Sequence, residues 1–220
     1  MSETAALQKL LTWLSPAFPV GAFAWSQGLE TVIADGRVSA AADLRDWIAG
    51  ALSHGGARTD AIILAHAHRR AEDAAQLQDL ADLAFALTAA SERQMETALT
   101  GEAFAIAARA WPSDVYARLP QPCPYPVAVG AIAGAHGIGL HETLIGYLTA
   151  SVHAQVSVAV RLVPLGQTAG LQVMAGLEPA IAALAEAAAT ADLDAIGSIA
   201  YAADIAQMRH ETIGTRVFRS

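Results

Sequence analysis

The chain of 220 residues contains very little cysteine and lysine. Cys123 is its single cysteine, so no disulfide can form within the chain, and we expect a reducing compartment. Residues 1–20 also lack the basic start, apolar centre and cleavage site of a secretory signal peptide. Lys9 is the single lysine, and 13 basic residues stand against 21 acidic ones, a net charge of −8. Because nucleic acids bind clustered positive charge, this composition argues against a nucleic-acid partner.

Motifs that usually mark catalysis or cofactor binding are missing as well. The sequence has no glycine-rich phosphate loop ending in Gly-Lys-Ser/Thr and no Gly-x-Ser-x-Gly nucleophile turn. It has seven histidines, but no two of them lie three or four residues apart, the spacing at which two rings on one helix can share a metal ion. The glycine-rich residues 134–139 follow no predicted strand and are interpreted as a loop between helices. We therefore expect no metal site and no cofactor belonging to this chain. Nothing in the sequence calls for catalytic residues, although folding could still assemble groups for acid–base catalysis.

Charge is scarce along the chain. Apolar residues make up 54% of it and charged residues 15%, against about 25% charged residues in an average soluble domain. Residues 143–160 contain no charge, and this length approaches the roughly 18–20 residues of a membrane span. The stretch nevertheless includes His153 and Gln155, and no basic or aromatic belt flanks it. A buried helix is therefore favoured and no membrane contact is expected, with a membrane-associated helical protein as the alternative.

Apolar residues recur at helical spacing through most of the sequence. A stripe at Leu7, Leu10, Leu11 and Leu14 follows Thr4, which is interpreted as the N-cap of a first helix. Other helices are predicted to end at Gly55-Gly56, to begin at Thr59 or Asp60, to cover residues 92–111 and 140–162, and to begin at Pro179. The proline-rich residues 112–126 are the one candidate boundary, but they are too short to separate two domains. We predict an all-α fold, a single-domain helical bundle of roughly ten helices over residues 1–220.

Three segments differ from the alanine-rich remainder. Residues 15–30 combine prolines and glycines with Phe18, Phe23 and Trp25, which either pack as a helix connector or present a binding surface. Residues 161–170 begin with Arg161, for which a structural ion pair is one interpretation. Residues 209–220, the C-terminal tail, carry three arginines and one glutamate, whereas residues 1–208 carry 10 basic and 20 acidic residues. Because arginine and aromatic residues are enriched at protein interfaces, the tail is interpreted as a docking segment.

Taken together, these segments resemble the UreF family of urease accessory proteins. The matching motifs are, in order, Ser-Pro-x-x-Pro-Val-Gly-x-Phe-x-x-Ser-Gln-Gly-Leu-Glu at residues 15–30, His54-Gly55, Arg58-Thr59-Asp60, Arg-Leu-Val-Pro-Leu-Gly-Gln-Thr-Ala-Gly at residues 161–170, Met-Arg-His-Glu-Thr at residues 208–212 and Arg-Val-Phe-Arg-Ser at residues 216–220. Each motif is short, but their order over nearly the whole length is specific.

The resemblance implies an all-α, cytoplasmic and dimeric protein without enzymatic activity. Members of this family bind the accessory protein UreD, also called UreH, and the GTPase UreG. The assembly acts on the urease apoprotein as a GTP-dependent chaperone for nickel insertion. Nickel and GTP would accordingly be handled by the partners, and this chain would need no cofactor.

The resemblance also assigns partner contacts to positions within the three segments. The first segment would face UreG and the dimer groove through Phe18, Pro19, Gly21, Phe23, Ser26, Gln27 and Glu30. The second segment would support the same region through Arg161, Gln167 and Thr168, with Arg161 as a regulator of GTP hydrolysis by UreG. The tail would bind UreD through His210, Glu211, Arg216, Phe218, Arg219 and Ser220. We expect the tail to be disordered, or held only by crystal contacts, in the isolated chain and to become ordered on UreD.

A different class of function remains open on the residues alone. A helical enzyme could use a buried polar site around Arg161, Gln167 and His153. That hypothesis predicts that the three side chains converge in a closed pocket, whereas an accessory protein requires exposed docking surfaces.

Overall fold

The structure, a computed structural model, describes residues 2–220 and is built from α-helices. Three short 3-10 helices lie at Ala22–Ala24, Asp114–Ala117 and Leu193–Ala195, and no strand occurs within residues 2–220. In chain order the α-helices are α1 (Glu3–Trp13), α2 (Leu29–Ala34), α3 (Ala41–His54), α4 (Gly56–Arg69), α5 (Ala74–Ala86), α6 (Ser91–Ala108), α7 (Tyr125–Ala135), α8 (Leu140–Leu162), α9 (Gly166–Thr190) and α10 (Tyr201–His210). The predicted all-α bundle of about ten helices is confirmed.

Several helix boundaries differ from those predicted, for local reasons. Ser2 rather than Thr4 is the N-cap of α1, because the Ser2 side chain accepts a hydrogen bond from the backbone amide of Ala5. Helix α4 begins at Gly56, so Thr59 and Asp60 lie inside it instead of capping it. Pro179 lies within α9 rather than at the start of a helix. The bounds of α8 match the prediction.

Helix α4 is central to the bundle. It contacts α3, α5, α7, α8 and α9, and residues 61–67 are all buried. In α7, Gly130 and Gly134 face the backbone carbonyl oxygens of Leu64 and His68 in α4. A Cβ atom at either glycine would overlap those oxygens. The two glycines therefore allow the backbones of α4 and α7 to approach closely.

Aromatic packing ties the N-terminal region to the core. Trp13 packs edge-on against Phe104 and Trp111, with ring centroids 6.1 and 5.6 Å apart, and Phe18 lies 5.4 Å from Phe104. Cys123, in the proline-rich loop, belongs to the same core, and burial raises the pKa of its thiol to about 12. The proline-rich residues 112–126 thus contribute to the core that the helices surround.

Helices α8 and α9 are long and apolar enough to cross a membrane by length and composition. Within the most apolar window of each, 50% of the residues in α8 and 33% of those in α9 are buried against the rest of the chain. A core helix of a soluble protein meets the same criterion. Length and composition therefore do not favour the membrane alternative over a packed bundle.

Candidate functional site

The C-terminal tail folds back onto the bundle. Phe218 is 4% exposed and Ser220 is 1% exposed, so both side chains are buried against other parts of the chain. The structure therefore corrects the expectation that the tail is disordered in the isolated chain. The physical reason is a set of hydrogen-bonding groups on α2, on α6 and on the backbone of residues 24–26.

Glu30, in α2, is the central acceptor for the tail. Its side chain is only 6% exposed. Its Oε1 atom accepts a hydrogen bond from the backbone amide of Val217 at 2.7 Å, and its Oε2 atom accepts one from the amide of Phe218 at 3.0 Å. The Nε2 atom of His210 lies 3.0 Å from the same Oε2. Because hydrogen bonds to charged groups contribute about 1.5–3 kcal/mol each, Glu30 fixes both ends of the tail's path over α2.

His210 joins Glu30 to a second carboxylate, that of Glu92 in α6. The ring is completely buried, and its Nδ1 atom lies 2.7 Å from Glu92 Oε2. Glu92 also pairs with the guanidinium of Arg216. One residue along, Glu211 is exposed and accepts a hydrogen bond from the hydroxyl of Ser91. The beginning of α6, which was not among the predicted sites, thus holds the first half of the tail.

The last residues of the tail pair with the first segment through the backbone. The amide of Arg219 donates to the carbonyl oxygen of Ala24 at 2.8 Å. The amide of Ser26 donates to the carbonyl oxygen of Ser220 at 2.8 Å, and the hydroxyl of Ser26 donates to the same oxygen. Ser26 is fully buried, so this ladder satisfies polar groups that have no access to water.

The arginines of the tail already have partners within the chain. Arg209 makes a bidentate contact with Asp35, at 2.7 and 3.2 Å, and this hydrogen bonding lowers the pKa of the Asp35 carboxyl. The guanidinium of Arg219 lies over the ring of Trp25, 4.8 Å from its centroid. Together with the Arg216–Glu92 pair, these contacts use the positive charge of the tail to hold it on an acidic body.

Gln27 and Gly28 form the turn that leads into α2, and both have positive φ angles, 54° and 80°. The Gln27 side-chain amide donates to Glu96 Oε1 at 2.7 Å. Gly28 lies against α10, where a Cβ atom would be 2.8 Å from the backbone nitrogen of Gln207. Position 28 therefore requires glycine, because a side chain there would prevent α10, the helix that leads into the tail, from packing against the turn.

A buried ionic cluster lies beneath this turn. Arg93 Nη2 is 2.8 Å from Asp60 Oδ2, and Arg93 Nη1 is 3.4 Å from Glu96 Oε2. Tyr147 donates its hydroxyl to Asp60 Oδ2 at 3.0 Å. Burial raises the pKa of both carboxyl groups, although the nearby arginine opposes this effect. For Arg93, burial alone would lower the pKa, but Glu96 and Asp60 more than offset it and keep the guanidinium charged.

Arg161, Gln167 and Thr168 are all exposed. Arg161 and Gln167 line a groove of about 260 Å³ together with the exposed His153. The Arg161 guanidinium lies 6.0 Å from the centroid of the Phe218 ring, and no carboxylate within residues 2–220 forms a salt bridge with it. The interpretation of Arg161 as part of an ion pair is therefore wrong. Arg161, Gln167 and His153 thus share a groove, but all three side chains are exposed to solvent. The enzyme hypothesis requires a closed pocket, which this groove is not.

The first segment divides into buried and exposed residues. Phe18 is only 9% exposed and lies in the core, and its assignment as a partner contact stays a prediction. Phe23 is 66% exposed and Pro19 is also exposed. Gly21 has a φ angle of 72°, and no heavy atom lies within 4 Å of the position of a Cβ atom there. Phe18 thus fits the interpretation of this segment as a packed connector, whereas Pro19 and Phe23 fit its interpretation as an exposed surface.

An apolar face of α10 was not among the predicted sites. Tyr201, Ile205 and Met208 follow one another at helical spacing and are 69%, 53% and 47% exposed. On the other side of the helix, Ala206 and His210 are buried. The spacing is visible in the sequence, but the sequence does not reveal which face of this short helix is covered. Exposed apolar side chains grouped in this way are typical of interaction surfaces.

The residues described, 2–220, include no group of three or more histidine, cysteine, aspartate or glutamate side chains placed to hold a metal ion. The polar groups around the tail instead bind and orient chain segments. Ser26, Gln27 and Glu30 form hydrogen bonds with the inner side of the tail. Val217 and Arg219 remain exposed on its outer side. This arrangement leaves the outer side of the tail exposed while its inner side is held on the bundle.

Comparison with known proteins identifies the family. A family model for UreF matches residues 38–178. The chain is 51% identical over 218 residues to a urease accessory protein UreF of Rhizobium etli, covering 99% of this chain and 98% of the relative. It is 49% identical over 219 residues to the UreF of Agrobacterium fabrum, covering 100% and 98%, and 48% identical over 225 residues to that of Rhodopseudomonas palustris, covering 99% and 94%. The chain therefore belongs to the UreF family of urease accessory proteins.

Proposed function

We propose that this chain is a chaperone scaffold of urease maturation that joins UreD (UreH) and the GTPase UreG and promotes nickel insertion into the urease apoprotein. It acts as a homodimer in the cytoplasm, without catalytic residues or a cofactor of its own, because its partners handle nickel and GTP. Family membership supports the role in urease maturation. The ordered tail, with exposed apolar side chains on the helix before it, supports docking as the means.

UreD is the proposed partner of the tail and of α10. A rigid surface binds with a smaller entropy loss than a segment that must fold during binding. The buried contacts of Glu30 and His210 supply this rigidity, and Arg216, Val217 and Arg219 lie on the solvent side. Ile205 and Met208 supply exposed apolar area on α10. The interface would thus combine apolar contacts from α10 with polar contacts from the tail.

UreG and a second copy of this chain are the proposed partners of the groove at Arg161. The Arg161 guanidinium is exposed and free of carboxylate partners within residues 2–220, so it is available to an acidic group. Its position beside Phe218 links this groove to the tail. Binding at the tail could therefore change the presentation of Arg161 to UreG, through which Arg161 would affect GTP hydrolysis.

Reconstitution tests this role. The protein is mixed with its UreD and UreG counterparts, the mass of each mixture is measured by light scattering, and activation of the urease apoprotein by nickel and GTP is followed. We expect a dimer that joins both partners and increases the fraction of active urease. A monomer that joins neither partner and leaves activation unchanged would contradict the proposal.

A further inference from the structure

The buried cluster of Asp60, Arg93 and Glu96 has one positive charge for two carboxyl groups. Their side chains are 17%, 15% and 7% exposed, so water screens the imbalance poorly. The other polar neighbours of the two carboxyl groups are Tyr147, Gln27 and Ser220, none of which brings a second positive charge. If both carboxyl groups were ionised, the cluster would keep a buried, uncompensated negative charge, which is costly.

We propose that only one of these two carboxyl groups is ionised in the folded protein, and that Glu96 retains the proton. The geometry distinguishes the two groups. Asp60 Oδ2 receives two close donors, Arg93 Nη2 at 2.8 Å and the Tyr147 hydroxyl at 3.0 Å, which is the environment of a charged acceptor. The contact between Arg93 and Glu96 is longer, 3.4 Å, and contributes less to an ionised Glu96.

The surroundings of Glu96 can also accommodate a proton. Its Oε1 atom accepts from the Gln27 amide at 2.7 Å, which leaves Oε2 to carry the hydrogen. The hydroxyl of Ser220 lies 3.4 Å from Oε2, and a hydroxyl can turn to accept as well as donate. Asp60 and Arg93 border a cavity of about 50 Å³, large enough to admit water, whereas Glu96 is not among the residues that line it. The drier of the two carboxyl groups is therefore the one that stays neutral.

This proton links stability to pH in a defined direction. Burial, followed by the unfavourable charge of Asp60, raises the pKa of Glu96 in the folded chain, although Arg93 opposes the shift. As pH rises above the ordinary range for a carboxyl group, about 4.3, the unfolded chain releases the proton while the folded chain keeps it. The unfolding equilibrium constant then increases by up to about tenfold per pH unit from this one site. The increase ends once the pH exceeds the raised pKa of Glu96.

The test compares the wild-type protein with Glu96→Gln, which is neutral at every pH, and with Glu102→Gln as a matched control. Glu102 lies on the same helix but is exposed. Denaturant unfolding is measured across the pH range above about 4.3, the ordinary carboxyl value. We expect the ratio of the wild-type unfolding constant to that of Glu96→Gln to increase with pH by up to about tenfold per unit. Glu102→Gln should keep the wild-type profile, and a Glu96→Gln profile parallel to the wild type would overturn the proposal.

A second measurement decides the matter if Glu96→Gln does not fold. Infrared spectra of the wild-type protein with ¹³C-labelled glutamate are recorded at neutral pH, where only a perturbed glutamic acid retains its proton. We expect a carbonyl band from one protonated glutamic acid, which disappears when the protein is unfolded at the same pH. Spectra in which every labelled glutamate is ionised in the folded protein would overturn the proposal.

Discussion

Glu30 and His210, which are 180 positions apart in the sequence, meet in a buried contact of 3.0 Å between Oε2 and Nε2. The same carboxylate accepts the backbone amides of Val217 and Phe218. A single side chain in α2 therefore organises both the end of α10 and the last residues of the tail. The tail belongs to the folded bundle, even though its charge differs in sign from that of the rest of the chain.

Glu30→Gln should loosen the tail. A glutamine has only one acceptor oxygen, and its NH₂ group would face donors that the carboxylate now accepts. We expect the backbone amides of Val217 and Phe218 to lose protection against hydrogen exchange, with a destabilisation of about 2 kcal/mol for the loss of a charge-assisted contact. Glu72→Gln, at an exposed position, is the control and should leave exchange unchanged. Unaltered protection in Glu30→Gln would show that Glu30 does not hold the tail.

Gly28→Ala should displace α10. Gly28 and Gly36 both have positive φ angles, 80° and 72°, so alanine costs about 1 kcal/mol of backbone strain at either position. Only at Gly28 would the new Cβ atom also collide with the backbone of Gln207. We expect Gly28→Ala to be less stable than Gly36→Ala in denaturant unfolding and to increase hydrogen exchange in α10. Equal stability of the two variants would contradict this account of the turn.

Gly130→Ala should be strongly destabilising. Its Cβ atom would overlap the carbonyl oxygen of Leu64, and since both atoms belong to the packed core, α4 and α7 would have to separate. Overpacking of this kind costs about 1–3 kcal/mol or more. Gly176→Ala, within α9 and with open space around its Cβ position, is the matched control, and we expect it to gain about 0.5–1 kcal/mol from helix propensity. Thermal unfolding of both variants checks the difference in sign.

Helices were predictable from the sequence where their signals are local. The apolar run of α8 gave its bounds, since Gly139 precedes it and residues 163–166 follow as a break with Pro164. Pro179 was assigned to a helix start, but α9 continues through it, because packing of Leu177 and Ile181 into the core outweighs the lost backbone hydrogen bond.

Local signals could not reveal the course of the tail. Its composition identified it as unusual, but its conformation depends on Glu30, Glu92 and Ser26, which are distant in sequence. The same limit applies to Phe18, whose aromatic side chain could equally have been surface or core. The structure divides the tail into two sets of residues. The buried set, with His210, Phe218 and Ser220, packs against the bundle, and the exposed set, with Arg216, Val217 and Arg219, faces solvent.

Because some residues of the tail stabilise the bundle, deletion of the whole tail is a poor test of docking. Removing residues 209–220 would leave the buried Glu30 and Ser26 without their partners, so loss of binding would not be separable from loss of stability. Substitutions of exposed side chains avoid the difficulty. Ile205→Asp places a charge on the outer face of α10 without removing any contact of Glu30 or His210, and Leu11→Asp, at an exposed leucine of α1, is the matched control.

Binding of these two variants to UreD is the most direct test of the account, measured by calorimetry on proteins shown to have wild-type unfolding transitions. A charge buried at the centre of an interface costs roughly 2–4 kcal/mol, so we expect Ile205→Asp to weaken UreD binding by about 30-fold or more. Leu11→Asp should bind UreD as the wild type does. If Ile205→Asp binds UreD with wild-type affinity, the surface formed by α10 and the tail is not where UreD docks.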